Sequence, residues 1–327
     1  MKKIALPFLL VAFACSLSAQ TVTLPRDTSW KRGGFSSLQF NQVAFSNWAA
    51  GGENSISLNG VGFGFANFLK GKNYWNSFAN LQFGLISSKY DRTARKNIDL
   101  IELQTKAGRE LGDSKFYLSG LLNFRSQFAN GYLYPNDSLV VSKFLAPGYI
   151  TASIGVDWKP VTWFSLYVSP STGKFTVVAD QDIANILVNG ASLWGTDPAV
   201  IDSATGQIIT NGKTLRTEFG AYVVATLLKD VAKNVNVATK LQLFNNYTDK
   251  NESNRSAIDV IWDLNINLKV NDWLGVTAYG NLIYDQDIII AEVDEEGVPT
   301  GVAGPRTQLR EGFGIALTYK FGDEVPK

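Results

Sequence analysis

The chain has 327 residues, 45% of them hydrophobic and 18% charged, with 30 basic and 29 acidic side chains and a formal net charge of +1. That balance fits a folded protein and excludes both a disordered chain and one built to bind nucleic acid, since no basic patch stands out. Histidine is absent and cysteine occurs once, at Cys15, which removes Ser-His-Asp chemistry at the outset.

Taken in chain order, Lys2 and Lys3, the apolar run from Ile4 to Ala14, and Ser16-Leu17-Ser18-Ala19 before Gln20 predict a secretory leader over 1–19. Leu17 departs from the small-residue rule at a cleavage site, and Cys15 after Ala12-Phe13-Ala14 offers a lipoprotein alternative that a barrel does not need. Without the leader the chain keeps 28 basic residues against 29 acidic and no cysteine, so disulfides and thiolate chemistry are not expected. No later run of about eighteen apolar residues predicts a membrane helix. The exported chain is therefore either soluble or crosses a membrane as a closed barrel.

Period-two alternation predicts twelve strands at about residues 35–46, 54–69, 74–89, 98–110, 115–129, 149–158, 163–177, 214–228, 235–247, 257–270, 273–285 and 309–321. From Ala257 to Val270, for example, Ile258, Val260, Trp262, Leu264, Ile266, Leu268 and Val270 oppose Asp259, Asp263, Asn265, Asn267 and Lys269. Every second link is short: Gly71-Lys72-Asn73, Leu111 to Ser114, Lys159 to Thr162, Lys229 to Asn234 and Asn271-Asp272. The intervening ones, at 47–53, 90–97, 130–148, 178–213, 248–254 and 291–308, include long stretches rich in Gly, Asn, Asp and Pro. An even strand number with alternating short and long links predicts an all-β, transmembrane, antiparallel up-and-down barrel over 35–321. Residues 20–34 would be a periplasmic segment and 322–327 a tail. Trp75, Trp158, Trp163 and Trp273 sit beside the short turns, where an interfacial girdle belongs. Tyr319 and Phe321 end the last strand with aromatics, similar to the signal read by the barrel assembly machinery.

About twelve strands enclose a lumen too wide for apolar side chains to fill, so the charged face is expected to point inward and the apolar face to outer-membrane lipid. An Arg or Lys at the lipid midplane would cost roughly 2–4 kcal/mol. The lumen-lining candidates are Glu102, Lys106, Arg125, Asp157, Arg216, Glu218, Lys240, Asp259, Asp263, Lys269, Asp285, Arg310 and Lys320. The first strands are less regular. Leu38 and Phe40 are out of phase with Val43 and Phe45, and Ile56 and Leu58 with Val61, Phe63 and Phe65, which predicts a bulge in each strand. Gly60, Gly62 and Gly64 share a face, as sharp curvature or a closely packed loop backbone would require.

Without histidine or mature cysteine, zinc and copper sites are not expected, and no cofactor is predicted. Asp294-Glu295-Glu296 and Asp285 with Asp287 are the calcium candidates, read as a solvated acidic loop. Asp259 and Asp263 lie about 13 Å apart along one strand face, beyond inverting-glycosidase spacing. The chain reads as a non-enzyme.

The strongest local signature runs from Phe45 to Gly60 and contains Asn47-Trp48-Ala49-Ala50-Gly51-Gly52-Glu53. It resembles an uncharacterised Bacteroidota family of outer-membrane proteins, a domain of unknown function whose members share Asn-Trp-x-x-Gly-Gly. The resemblance implies a barrel and a phylum, and it carries no substrate, catalytic residue or cofactor. Physically, Gly51-Gly52 beside Trp48 suits a structural hairpin or a partner-docking surface. Two functions are expected. One is a small-solute channel with a mixed-charge lumen, which Ile183 to Leu193 in the loop 178–213 would plug or cover. The other is a non-transporting barrel that scaffolds partners in an envelope complex.

Overall fold

A computed structural model of the chain describes residues 30–44, 54–88, 94–133, 138–293 and 299–323. The leader at 1–19 and Asn47, Trp48, Gly51, Gly52 and Glu53 lie outside the described residues.

Twelve antiparallel strands close into one barrel. They are β1 (Trp30–Val43), β2 (Ser55–Lys70), β3 (Asn73–Ser88), β4 (Arg95–Glu110), β5 (Phe116–Ser126), β6 (Gly148–Val161), β7 (Phe164–Val177), β8 (Leu215–Ala232), β9 (Val235–Asn246), β10 (Asp259–Lys269), β11 (Leu274–Tyr284) and β12 (Gln308–Gly322). Each pairs with its chain neighbours, and β1 also pairs with β12, from Gly33 opposite Gly322 to Phe40 opposite Ile315. Closure satisfies every strand edge, the condition for a sheet in lipid. The seam continues past the last strand, where Asp323 N–H donates to Arg32 O and its carboxylate accepts from Arg32 N–H, both at 2.8 Å. Most strand ends match expectation to within a few residues, but β1 begins at Trp30 rather than 35. β5 stops at Ser126 because the backbone beyond it turns to cap Asp99, which accepts the N–H groups of Phe128 and Ala129.

Directly opposed residues share a face, so the register sorts every strand. Leu309, Phe313, Ile315, Leu317, Tyr319 and Phe321 of β12 point outward, with Phe313 75% exposed, and Ile258, Trp262, Leu268 and Val270 do so around β10. Trp75, Trp158 and Trp273 are exposed at the short-turn end. Trp30 joins them, 5.1 Å from Phe68 and 6.0 Å from Trp75, ring centre to ring centre. Lys229 lies 4.2 Å over the Trp163 ring, so cation and indole share the interface.

Three local expectations are corrected. β2 pairs with β1 and with β3 without a register shift, so no bulge explains the phase change there. Instead the two faces exchange roles. Phe63 and Phe65 of β2 point into the lumen opposite Phe35 and Asn80, and Phe78, while Gly60, Gly62 and Gly64 point outward. A Cβ added at these glycines would meet no atom closer than 3.7 Å, so close packing does not demand glycine. Inside, Phe63 stacks on Phe35 at 5.5 Å and on Phe78 at 6.0 Å and fills that sector of the interior. Bulges fall elsewhere, at Gly84/Leu85 in β3–β4 and around Ser169–Thr172 in β7. Finally, Ile261 interrupts the polar face of β10, paired with Ile283 on the lumen side of β11.

At the loop end, the links 127–147 and 178–214 fold together. Ala146, Val178, Ile183 and Ala184 are buried against Val140 and Trp194, and Trp194 Nε1 donates to Val141 O at 3.0 Å. A one-turn helix at Gln181–Ala184 is capped by Asp180, whose carboxylate accepts Ile183 N–H at 3.0 Å and pairs with Lys143. The same segment ties to two further links, by Lys250 to Asp197 and by hairpin Leu187–Val188 against Ile289–Val293. Since the β5–β6 and β11–β12 links stand on opposite sides of the ring, this cap lies across the mouth.

Candidate functional site

The interior carries its charges in three tiers, each built by the inward-facing parity of its strands. At the short-turn end, Asp157 of β6 is fully buried and gathers four groups. Lys106 Nζ lies at 2.7 Å, Tyr74 OH donates at 2.8 Å, Ser165 Oγ donates at 2.6 Å, and Lys159 Nζ lies at 3.5 Å. Tyr74 reaches in because its neighbour on β4 is Gly108, where a Cβ would meet the Tyr74 ring at 2.6 Å. The Lys159 ammonium sits 3.2 Å above that ring.

Half-way up, Lys240 of β9 donates to Glu102 Oε1 at 2.9 Å and to Gln104 Oε1 at 3.0 Å, both on β4. It also lies 5.3 Å from the Phe78 ring of β3. β3 and β9 are diametrically opposite in the ring of twelve, so this side chain spans the lumen. Asn123 donates to the same Glu102 oxygen at 3.1 Å. Asp263 accepts from Asn281 at 2.7 Å, and Tyr222 donates to Gln242 Oε1 at 2.6 Å.

Near the mouth, Lys174 of β7 meets Asp259 at 2.8 Å and Glu218 and Asp285 at 3.6 Å each. Arg216 of β8 meets Glu218 at 3.0 Å, Asp249 at 3.9 Å and Asp287, and donates to the cap at Gly195 O, 2.9 Å away. Five carboxylates thus share two cations. Among the described residues no three or more acidic, His or Cys side chains are arranged to hold a metal. The calcium candidates Asp285 and Asp287 face Lys174 and Arg216, and 294–296 lie outside the described residues.

Of the thirteen candidates, the structure brings Glu102 and Lys240 together, Lys106 with Asp157, and Arg216 and Glu218 with Asp259 and Asp285 through Lys174. Asp263, Arg125 and Arg310 stand at mid-height. Lys269 and Lys320 sit at the short-turn rim, where Lys269 pairs with turn residue Asp272 at 2.8 Å. Charge scanning missed Tyr74, Gln104, Asn123, Tyr222 and Gln242, which are uncharged. It also missed Lys174, whose phase is reset by the β7 bulge. Only the folded register, which sets Lys174 opposite Glu218, places it on the inner face.

Outside the span, the Lys143 hydrogen bond and the Ile183 N–H hold the Asp180 carboxyl below its usual range. A lowered folded-state value means that this contribution is present above the unfolded-state value and fades as pH falls through the folded one. Protection of the Ile183 amide from hydrogen exchange is expected to be unchanged from pH 7 to 5 and to fall below about pH 4. As an exposed contact it is worth only some tenths of a kcal/mol.

Residues 40–132 match the family model described as "Protein of unknown function (DUF3078)". The match contains Asn47 to Glu53 but brings no phylum, substrate or residue role. No curated protein matches the sequence. Among solved structures, the chain is similar to the translocator domain of autotransporter NalP from Neisseria meningitidis, with 8% identity, TM-score 0.37, and coverage of 90% of this chain and 89% of that one. An outer membrane channel from Pseudomonas putida F1 gives 11%, 0.36, 88% and 95%, and OmpT of Vibrio cholerae gives 9%, 0.29, 91% and 99%. At these scores no function passes from them to this chain. The barrel's own surface decides its place: a closed sheet with an apolar exterior and an ionic interior has to be wrapped in lipid. It is a membrane-spanning barrel of the outer-membrane type.

Proposed function

We propose that the barrel is a channel for small hydrophilic solutes, narrowed at mid-height by the Glu102–Lys240 bridge and covered by the 178–214 cap. The short turns, with the Trp30 end of β1 and the Gly322 end of β12, face the periplasm and the cap faces the exterior. The observation that carries this reading is the bridge across the lumen. A merely sealed barrel would be served equally well or better by apolar side chains of the same volume, because ion pairs taken out of water roughly cancel their own attraction. Walls lined with ionised groups can take up water once the bridge parts.

In planar bilayers the native protein is expected to show small conductance, and removing residues 180–211 is expected to raise it. The deletion is geometrically mild, since Val178 N–H already donates to Thr214 O at 2.8 Å. Conductance that stays at zero in both proteins would overturn the reading, and large native conductance would overturn the cap's part in it. The scaffold reading draws on one observation, the hairpin Val200–Ile201 and Ile208–Thr210, whose apolar side chains are exposed, Ile209 to 66%. Stoichiometric co-purification with an envelope protein, abolished by Ile209→Ser, would favour it.

A further inference from the structure

The middle tier is short of an anion. It holds three cations, Arg125, Lys240 and Arg310, against two carboxylates, Glu102 and Asp263. Glu102 is taken up by Lys240 and Asn123, and Asp263 by Asn281. Arg310 stands opposite Asn281, which holds Asp263, and Arg125 stands directly opposite Glu102, the partner of Lys240, so the two guanidiniums reach this tier from walls on different sides of the lumen. Among the described residues neither guanidinium has a hydrogen bond or an ion pair, although each carries five donors in a planar fork. Arg310 is open to the lumen and only the Tyr279 ring stands near it, 5.9 Å away. A third donor lies on the same inner face, two residues from Lys240 along β9. Gln242 is 95% buried, its Oε1 is taken by Tyr222, a neighbour of Arg125, and its Nε2 has no acceptor. Three unused donors in and beside a tier of net positive charge form a cradle that lacks its oxyanion.

We infer that Arg125 and Arg310, supported by Gln242, bind the carboxylate or phosphate group of a small solute in the middle of the lumen. The acidic tier above sharpens the choice. Lys174 and Arg216 are outnumbered by their carboxylates, so an anion gains nothing there and is held only below. That the solute also passes through rests on the channel reading. The binding itself does not.

Succinate and inorganic phosphate, titrated calorimetrically into the full-length folded barrel in detergent, are the probes. At least one is expected to bind, about tenfold or more weaker in Arg125→Gln and in Arg310→Gln, with Arg125→Lys recovering part of the loss. Heat-modifiable gel migration shows that each variant is folded. Affinity unchanged in both glutamine variants, or no binding of either anion to the native protein, would overturn the assignment. Binding that persists in a barrel without conductance would leave this site standing and remove the channel reading.

Discussion

Replacing Glu102 and Lys240 together by alanine is expected to raise single-channel conductance severalfold, more than either change alone. The pair is the contact that spans the lumen at mid-height, and its loss removes both side chains that make that span. Single changes should behave differently. Glu102→Ala leaves the Lys240 ammonium with only the Gln104 amide, and Lys240→Ala leaves Glu102 with Asn123 as its one hydrogen-bond donor and Arg125 opposite it as its one remaining cation. An ion stripped of its partner in a poorly hydrated interior costs roughly 3–5 kcal/mol. Each single variant should therefore be less stable than the double variant when unfolded in urea, a non-additivity that a double-mutant cycle measures directly. Additive losses would show that the two groups act independently and do not form the constriction.

The largest single loss of stability is expected at Asp157. Its carboxylate is fully buried and receives Lys106, Tyr74, Ser165 and Lys159. Asp157→Ala leaves two ammonium groups facing each other without a counter-ion and takes the acceptor from Ser165, while the Tyr74 hydroxyl keeps Ser119 at 2.8 Å. A loss of about 3–5 kcal/mol follows, read from the urea midpoint of refolding into micelles. Asp157→Asn keeps an acceptor for Tyr74 and Ser165 and should fall between alanine and the native protein. Tyr74→Phe removes one hydrogen bond to an ion and should cost about 1.5–3 kcal/mol. An Asp157→Ala barrel as stable as the native one would mean that the lysines rehydrate freely, and that this tier is already open to water.

Strand number, order and short-link positions were legible because they rest on alternation and turn residues, which act locally. Trp75 and Trp273 were legible for the same reason. Phe63 and Phe65 were not. Their apolar character suits lipid and an aromatic stack equally, and only the pairing with Phe35 and Phe78 decides between them. Lys174 was hidden because one extra residue near Ser169 shifts everything beyond it by a face, and an insertion of that kind leaves no mark in composition. Ile261 was passed over for the opposite reason, since a long run of correct alternation masked one exception. In the site, the charged residues could be placed on the inner face, but their partners could not. Lys240 meets Glu102 from a strand 138 residues distant, through a diameter that no local pattern encodes. The cap was readable only as an apolar stretch in a polar loop, because its buried contacts to Ala146 and Trp194 join two links.

The exchange of faces in β2 has a mechanical consequence. Where Gly60, Gly62 and Gly64 look outward, the wall is one backbone thick, and the lateral pressure of the bilayer falls on the peptide ridge itself. The buttress stands on the inner side, in the stacked rings of Phe35, Phe63 and Phe78. Along that stretch of β2 the side chains that brace the wall therefore stand in the pore and none of its own stands against the lipid, so thinning the stack there takes support from a stretch that has no outer side chains to replace it.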